Sequence, residues 1–251
     1  MALLRCDYFS EVLEVGTSMT VLLPQATDEQ IGVSSDVVAG DPPLLYLLHG
    51  LSDDATAWQR FTSIERYAAE HGVAVVMPQG GRSFYADEVH GARHWTHLTQ
   101  ELPEVVSSFF RVSQRPEDTY VAGLSMGGYG ALKWALHHPD RFAAAASLSG
   151  AVDVRKLLPE RPEIFRRVFD ERIGSDDVLE DLLEKHPARE LPPLFVGCGT
   201  DDPLFDGNVR FAEQATAAGL DVRTDFRPGG HEWAVWDATI AAVLAWLPLR
   251  R

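Results

Sequence analysis

Three short stretches of this sequence hold residue types that could move a proton and carry an acyl group. Residues 123–127 read Gly-Leu-Ser-Met-Gly, a G-x-S-x-G pattern with Val121-Ala122 before it and the small residues Gly128, Gly130 and Ala131 after it. Residues 199–204 read Gly-Thr-Asp-Asp-Pro-Leu, and residues 229–233 read Gly-Gly-His-Glu-Trp. A serine hydroxyl becomes a nucleophile when a base takes its proton and N–H donors receive the negative charge that develops on the substrate. A histidine oriented by a carboxylate is such a base. The order Ser125, then an aspartate, then His231 is the order expected of a nucleophile on a strand-to-helix elbow. Asp202 is the expected carboxylate, with Asp201 as its alternative.

The chain has nine histidines, so the choice of His231 needs a reason. It alone sits on a glycine-rich loop after a late strand-like run. His71, His137, His138 and His186 fall at helix ends, before Gly72, Pro139 or Pro187, where a cation interacts favourably with the helix dipole. His49, in Leu48-His49-Gly50, ends a strand and is expected to brace a loop. His90, His94 and His97 lie near Asp87 and Glu88; solvated or substrate-facing side chains are the expected reading, with a metal site as the alternative. The oxyanion needs two backbone N–H groups. Met126, just after the nucleophile, supplies one by position, and Leu51, in the loop after an early strand, is expected to supply the other.

These residues must be held by regular elements, and the hydrophobic pattern says which. Runs 44–48 and 73–77 are continuously apolar, as in strands buried on both faces. Strand-like runs at 119–124, 143–148, 194–199 and 222–226 alternate with helical spacing at 63–70, 98–110, 128–137, 209–218 and 234–246. That alternation predicts an α/β architecture with a mostly parallel central sheet and helices on both faces. Runs 8–13 and 19–23, split at Gly16, read as an antiparallel pair at a sheet edge, and the polar stretch 25–41 as a loop. Between about 151 and 192 there is no strand. Helix-like patches at 164–169 and 175–186, the latter opened by Ser175 as N-cap, suggest a small helical cap insertion over the sheet's C-terminal edge. The whole chain, 1–251, reads as one domain. Aromatic residues in loops expected at that edge, Trp58, Phe84, Tyr85 and Trp95, together with the cap, are the expected lining of the substrate pocket.

Composition narrows the function. Hydrophobic residues make up 45% of the 251 positions, enough for a sizeable core without metals or disulfides. The net charge of −15 would repel a phosphate backbone, so no nucleic-acid partner is expected. No apolar run approaches ~18 residues, so no membrane span is expected, and no basic region followed by an apolar stretch marks a secretory signal. Cys6 and Cys198 belong to no paired motif and read as free thiols. A soluble cytoplasmic protein acting on a small molecule is expected; a homo-oligomer is compatible with the sequence.

The motifs 47–52 (LLHGLS), 123–132 (GLSMGGYGAL), 198–202 (CGTDD) and 230–233 (GHEW) together resemble the esterase D-like branch of the α/β-hydrolases, over residues 8–247. That branch includes S-formylglutathione hydrolases, tributyrin esterases and feruloyl or acetylxylan esterases, and the chain is most similar to bacterial tributyrin esterases. The resemblance implies an α/β-hydrolase fold and a serine carboxylesterase that needs no cofactor or metal. Its substrates would be short-chain acyl esters, hydrolysed through a Ser-His-Asp triad and an acyl-enzyme. Thioester or feruloyl and acetylxylan chemistry on the same scaffold is the alternative. The chain departs from true S-formylglutathione hydrolases at Ser52-Asp53-Asp54, where they usually carry a cysteine, and at Glu232-Trp233, where serine typically follows their histidine.

Overall fold

The apolar runs form one sheet. In the computed structural model, which describes residues 1–27, 29, 31, 40–157 and 160–249, eight strands line up in the order β1-β2-β4-β3-β5-β6-β7-β8. They are β1 (Ala2–Ser10), β2 (Val15–Leu23), β3 (Leu44–Leu48), β4 (Ala74–Pro78), β5 (Thr119–Leu124), β6 (Ala144–Leu148), β7 (Leu194–Gly199) and β8 (Val222–Arg227). Strands β3 to β8 run parallel to their neighbours among themselves, while β2 is antiparallel to both β1 and β4. The turn of the edge hairpin falls at 11–14, and Gly16 lies inside β2 opposite Phe9, not at the turn as the sequence suggested. Most of the 25–41 loop lies outside the described residues.

Burial on both faces explains the unbroken apolar runs. Along β3, Leu44, Tyr46 and Leu48 join one hydrophobic cluster while Leu45 and Leu47 join the other. Each fully buried leucine contributes roughly 1.5–3 kcal/mol. One face is covered by α1 (Ala57–Phe61) and α2 (Ile64–Glu70) with a late helix. The other is covered by the segment α3 (His94–Thr96), a π-helical turn (His97–Glu101) and α4 (Leu102–Phe109), then by α5 (Met126–His137). The segment between β6 and β7 adds α6 (Val154–Leu157), α7 (Pro162–Phe169) and α8 (Leu179–Leu183); α9 (Phe205–Ala217) follows β7, and α10 (Trp233–Trp246) follows β8.

The 175–186 stretch is broken more than its pattern implied. Ser175–Asp177 is a 3-10 turn, and α8 starts only at Leu179 with Val178 as N-cap, so Ser175 does not cap it. The apolar stripe still buries Val178, Leu179, Leu182 and Leu183. Polar contacts add to this apolar packing against α5. Lys133, 3% exposed, bonds Asp177 at 2.6 Å and lies 4.4 Å from the centre of the Trp95 ring. Tyr129 donates to the Asp177 carbonyl at 2.8 Å. Burial pushes the Lys133 ammonium below its usual range, and Asp177 opposes that shift.

Removing one member of such a pair leaves the other uncompensated, and the more buried survivor suffers more. Asp177→Ala should therefore lose about 2–3 kcal/mol in urea unfolding, and Lys133→Met less than half of that. Equal losses would mean that the ion pair does not anchor the segment.

Candidate active site

Strand β5 ends at Leu124 and α5 starts at Met126, so a single residue makes the reversal. That residue is Ser125, with φ 53° and ψ −116°, a backbone conformation a β-carbon disfavours. The neighbouring chain leaves no space for bulk. A Cβ on Gly123 would lie 2.3 Å from the Gly127 carbonyl oxygen, and one on Gly127 would lie 2.4 Å from the Leu48 carbonyl oxygen. The strained turn is held by its own polar groups: Ser125 N–H donates to Leu148 O at 2.9 Å, and Ser125 O accepts from Tyr129 and Ala151 N–H.

Two other strand ends deliver the partners. His231, on the loop after β8, places Nε2 3.1 Å from Ser125 Oγ and Nδ1 2.8 Å from Asp202 Oδ2. Asp202 can only accept while ionised, so Nδ1 carries the proton and the bare Nε2 accepts the Ser125 O–H. Burial alone would raise the Asp202 carboxyl, but hydrogen bonds from His231, Leu204 N–H and Ser149 outweigh it and hold the group below its ordinary range. Asp201, the alternative, is exposed, and the His231 Nδ1 bond goes to Asp202 instead. Behind Asp202, Ser149 accepts from Trp236 Nε1 at 3.1 Å and from the Cys198 thiol at 3.7 Å. The Trp236 ring meets the His231 ring edge-on, centres 4.8 Å apart.

A cavity of about 700 Å3 opens over Ser125. Leu51 and Met126 border it with Phe84, Trp233 and Trp236, and the α6 segment supplies Val152, Asp153, Lys156 and Leu157. Met126 opens α5, where first-turn N–H groups lack intrahelical partners, and among the described residues no group bonds the Leu51 N–H. A groove of about 650 Å3 over the β1–β2 pair is lined by neither Ser125 nor any histidine.

The aromatic residues expected in the pocket are, apart from Phe84, not in its wall. Trp58 is buried and donates its indole N–H to Leu48 O at 3.0 Å, one ring behind Trp233. Tyr85 is buried with its hydroxyl on His49 O at 3.0 Å. Trp95 packs against His137, His138 and Lys133. Large aromatic rings gain most from full burial, and their sequence positions do not say to which side of a loop they turn. Trp233 and Trp236 were missed as lining; their place on the first turns after His231 is the signal that could have found them. Ser149, at φ 48°, was missed because nothing sets it apart from the other residues ending β6. The histidines weighed as metal ligands diverge, His90 to Asp170 and His97 to Glu101 and Tyr8.

A strained serine between a parallel strand and a helix, with an aspartate and a histidine arriving from later strands, defines an α/β-hydrolase. Comparison with known proteins narrows the class. The family model described as "Putative esterase" matches residues 21–247, and the chain belongs to that esterase family. An acetyl esterase from Caldicellulosiruptor saccharolyticus is 30% identical, covering 98% of both chains. Among solved structures, the substrate-bound fluorophosphonate-binding serine hydrolase F of Staphylococcus aureus superposes with a TM-score of 0.88 at 32% identity, covering 98% of each chain. An S-formylglutathione hydrolase from the same organism gives 0.85 at 32% identity, again with 98% coverage of each. The chain is a carboxylic ester hydrolase.

A carboxyl held below its usual range in the fold stabilises the protein above its unfolded titration, and that contribution is lost as pH falls through the folded value. The stability gap between wild type and Asp202→Asn should thus narrow as pH drops below about 5, measured by urea unfolding across a pH series. A gap unchanged down to pH 3 would show that Asp202 is not held as an ionised acceptor.

Proposed function

We propose that this esterase hydrolyses short-chain acyl esters through an acyl-enzyme on Ser125. The observation that carries the reading is the unbroken hydrogen-bond chain from Ser125 Oγ through His231 to Asp202, at 3.1 and 2.8 Å. His231 Nε2 takes the Ser125 proton as Oγ attacks the ester carbonyl carbon. The carbonyl electrons move to oxygen, where Leu51 and Met126 N–H groups receive them with the α5 N-terminus behind. Collapse expels the alcohol, which leaves with the proton from His231. Water then gives a proton to the same nitrogen, attacks the acyl carbon and releases the acid, restoring Ser125. Asp202 keeps the imidazole in the productive tautomer and steadies the imidazolium.

Short acyl chains are favoured by the walls of the cavity. Asp53, Arg82, Asp153, Lys156, Arg161 and Arg210 all border it, and a long alkyl chain would have to lie against charged groups. The acetyl esterase relative supports the same choice. A second reading, thioester hydrolysis, is favoured by the likeness to an S-formylglutathione hydrolase. The 151–192 segment acts as the cap, since α6 borders the cavity, and the chain works as one domain. Two unpaired cysteines fit a reducing cytoplasmic setting, and among the described residues no helix is long and apolar enough to cross a membrane.

Ser125→Ala should lower kcat by about 10⁴-fold or more on p-nitrophenyl acetate; a variant with full activity would end the reading. Across p-nitrophenyl acetate to octanoate, wild type should prefer the short esters, and Leu157→Ala together with Phe84→Ala should shift the optimum to longer chains. An unchanged profile would show that these two side chains do not bound the acyl site. S-formylglutathione set beside p-nitrophenyl acetate separates thioester from ester preference.

A further inference from the structure

The loop after β3 carries one of the two oxyanion N–H groups, and a buried histidine is bonded on both sides of its ring within it. His49 is 1% exposed. Its Nε2 faces the Gly80 N–H at 2.9 Å, and its Nδ1 faces the Gly50 carbonyl oxygen at 2.7 Å. A backbone N–H can only donate and a carbonyl can only accept. Nε2 must therefore be bare and Nδ1 must carry the proton, so the ring is neutral in a single tautomer. Burial likewise lowers the readiness of His49 to take a second proton, outweighing the Gly50 carbonyl and the charges of Asp53 and Asp54.

The carbonyl that His49 engages belongs to a particular peptide group. Gly50 C=O and Leu51 N–H are the two ends of one planar unit, so a hydrogen bond to the oxygen fixes the direction of the N–H. It also withdraws electron density through the amide, which makes that N–H a stronger donor. The unit lies beside the nucleophile: a Cβ on Gly50 would sit 3.8 Å from Ser125 Cβ and 2.7 Å from Leu124 Cδ1. The preceding peptide is pinned independently, because Tyr85 donates its hydroxyl to His49 O at 3.0 Å. Asp53 N–H adds only a longer bond to Gly50 O, at 3.2 Å. The 2.7 Å bond from His49 is thus the strong one on the oxyanion peptide.

We infer that His49 is a positioning residue that aims and polarises the Leu51 N–H toward the oxyanion, acting through the Gly50 carbonyl. The inference rests on the proposed role of Leu51 as an oxyanion donor. A role in packing alone would need only a side chain that fills the space; this role needs a donor at the Nδ1 position.

Two substitutions divide the histidine's functions. His49→Gln can keep an acceptor for Gly80 N–H but has no donor where Nδ1 stood. His49→Asn can keep a donor to Gly50 O and gives up the Gly80 contact. On p-nitrophenyl acetate, His49→Gln should lower kcat about 10- to 100-fold with KM little changed, while His49→Asn recovers most of that loss. Equal losses in the two variants, or a loss confined to KM, would overturn the inference. If the glutamine variant fails to fold, ¹⁵N spectra of the wild-type imidazoles decide instead. The signal missing from His49→Asn should show Nδ1 protonated and Nε2 bare, and the opposite tautomer refutes the proposal. Diethyl p-nitrophenyl phosphate separates this outcome from failure of the underlying mechanism. No adduct on wild-type Ser125 would bring down the serine reading and the inference with it, whereas a normal adduct with equal variant losses brings down only the role of His49.

Discussion

The structure turns on a serine that must occupy a backbone conformation few side-chain-bearing residues accept. At φ 53° the cost is of order 1–3 kcal/mol, and it persists because the surroundings leave the chain nowhere else to go. The Ser125 amide and carbonyl are both bonded to the chain around Leu148 and Ala151, and the glycines at 123 and 127 let strand, helix and the loop after β3 close to distances that a methyl group would forbid. The strain has a chemical return. It puts the hydroxyl on the outside of the turn with the α5 N-terminus directly behind, where negative charge is stabilised.

Sheet register turns that one position into a site. Leu48 of β3 pairs with Gly123, and Leu148 of β6 pairs with Leu124, so the loops carrying Leu51 and Ser149 leave the sheet level with the serine. Farther along, Gly199 of β7 pairs with Arg227 of β8, which brings the Asp202 and His231 loops out side by side. The parallel sense of these strands is what collects all the loops at one edge. Ser125, Asp202 and His231 are far apart in sequence because each comes from beyond the end of a different strand. The same arrangement lets Asp202 stay ionised while buried, since its desolvation is offset by bonds from His231, Leu204 and Ser149.

That dependence on strand ends explains what could be read in advance. Runs 44–48, 119–124 and 194–199 coincide with β3, β5 and β7 because a strand buried on both faces is built almost wholly of apolar and small residues. The serine, aspartate and histidine were legible because each lies within a few residues of the end of its strand, Ser125 directly after β5, Asp202 three residues after β7 and His231 four after β8. Trp58, Tyr85 and Trp95 were not, because facing a cavity or facing the core is decided by contacts with residues distant in sequence. The direction of the Tyr85 side chain, for example, depends on room beside Gly80 and Gly130, where a Cβ would fall within 2.5 Å of its ring. The helix expected from Ser175 failed for a related reason. The apolar stripe from Val178 is buried, but Asp177 ends a separate 3-10 turn, from which it meets Lys133 and Tyr129 on α5.

Related contacts join the cavity wall to the helix that follows Ser125. Phe84, one wall of the cavity, packs against Tyr129 of α5 and against Phe165 and Phe169 of α7. Backbone bonds from Val89 to Val168 and from His90 to Arg167 fasten α7 to the same loop, and Arg167 reaches back to Glu88 at 3.1 Å. The wall therefore belongs partly to the rigid base that holds Ser125 and partly to the segment between β6 and β7. A change in α7 would bear on Phe84 directly, whereas the turn at Ser125 is also held by bonds to Leu148 and Ala151 and by the glycines around it. On the proposed reading, the wall that meets the acyl group is thereby set largely by other contacts than those that hold Ser125, Asp202 and His231 together.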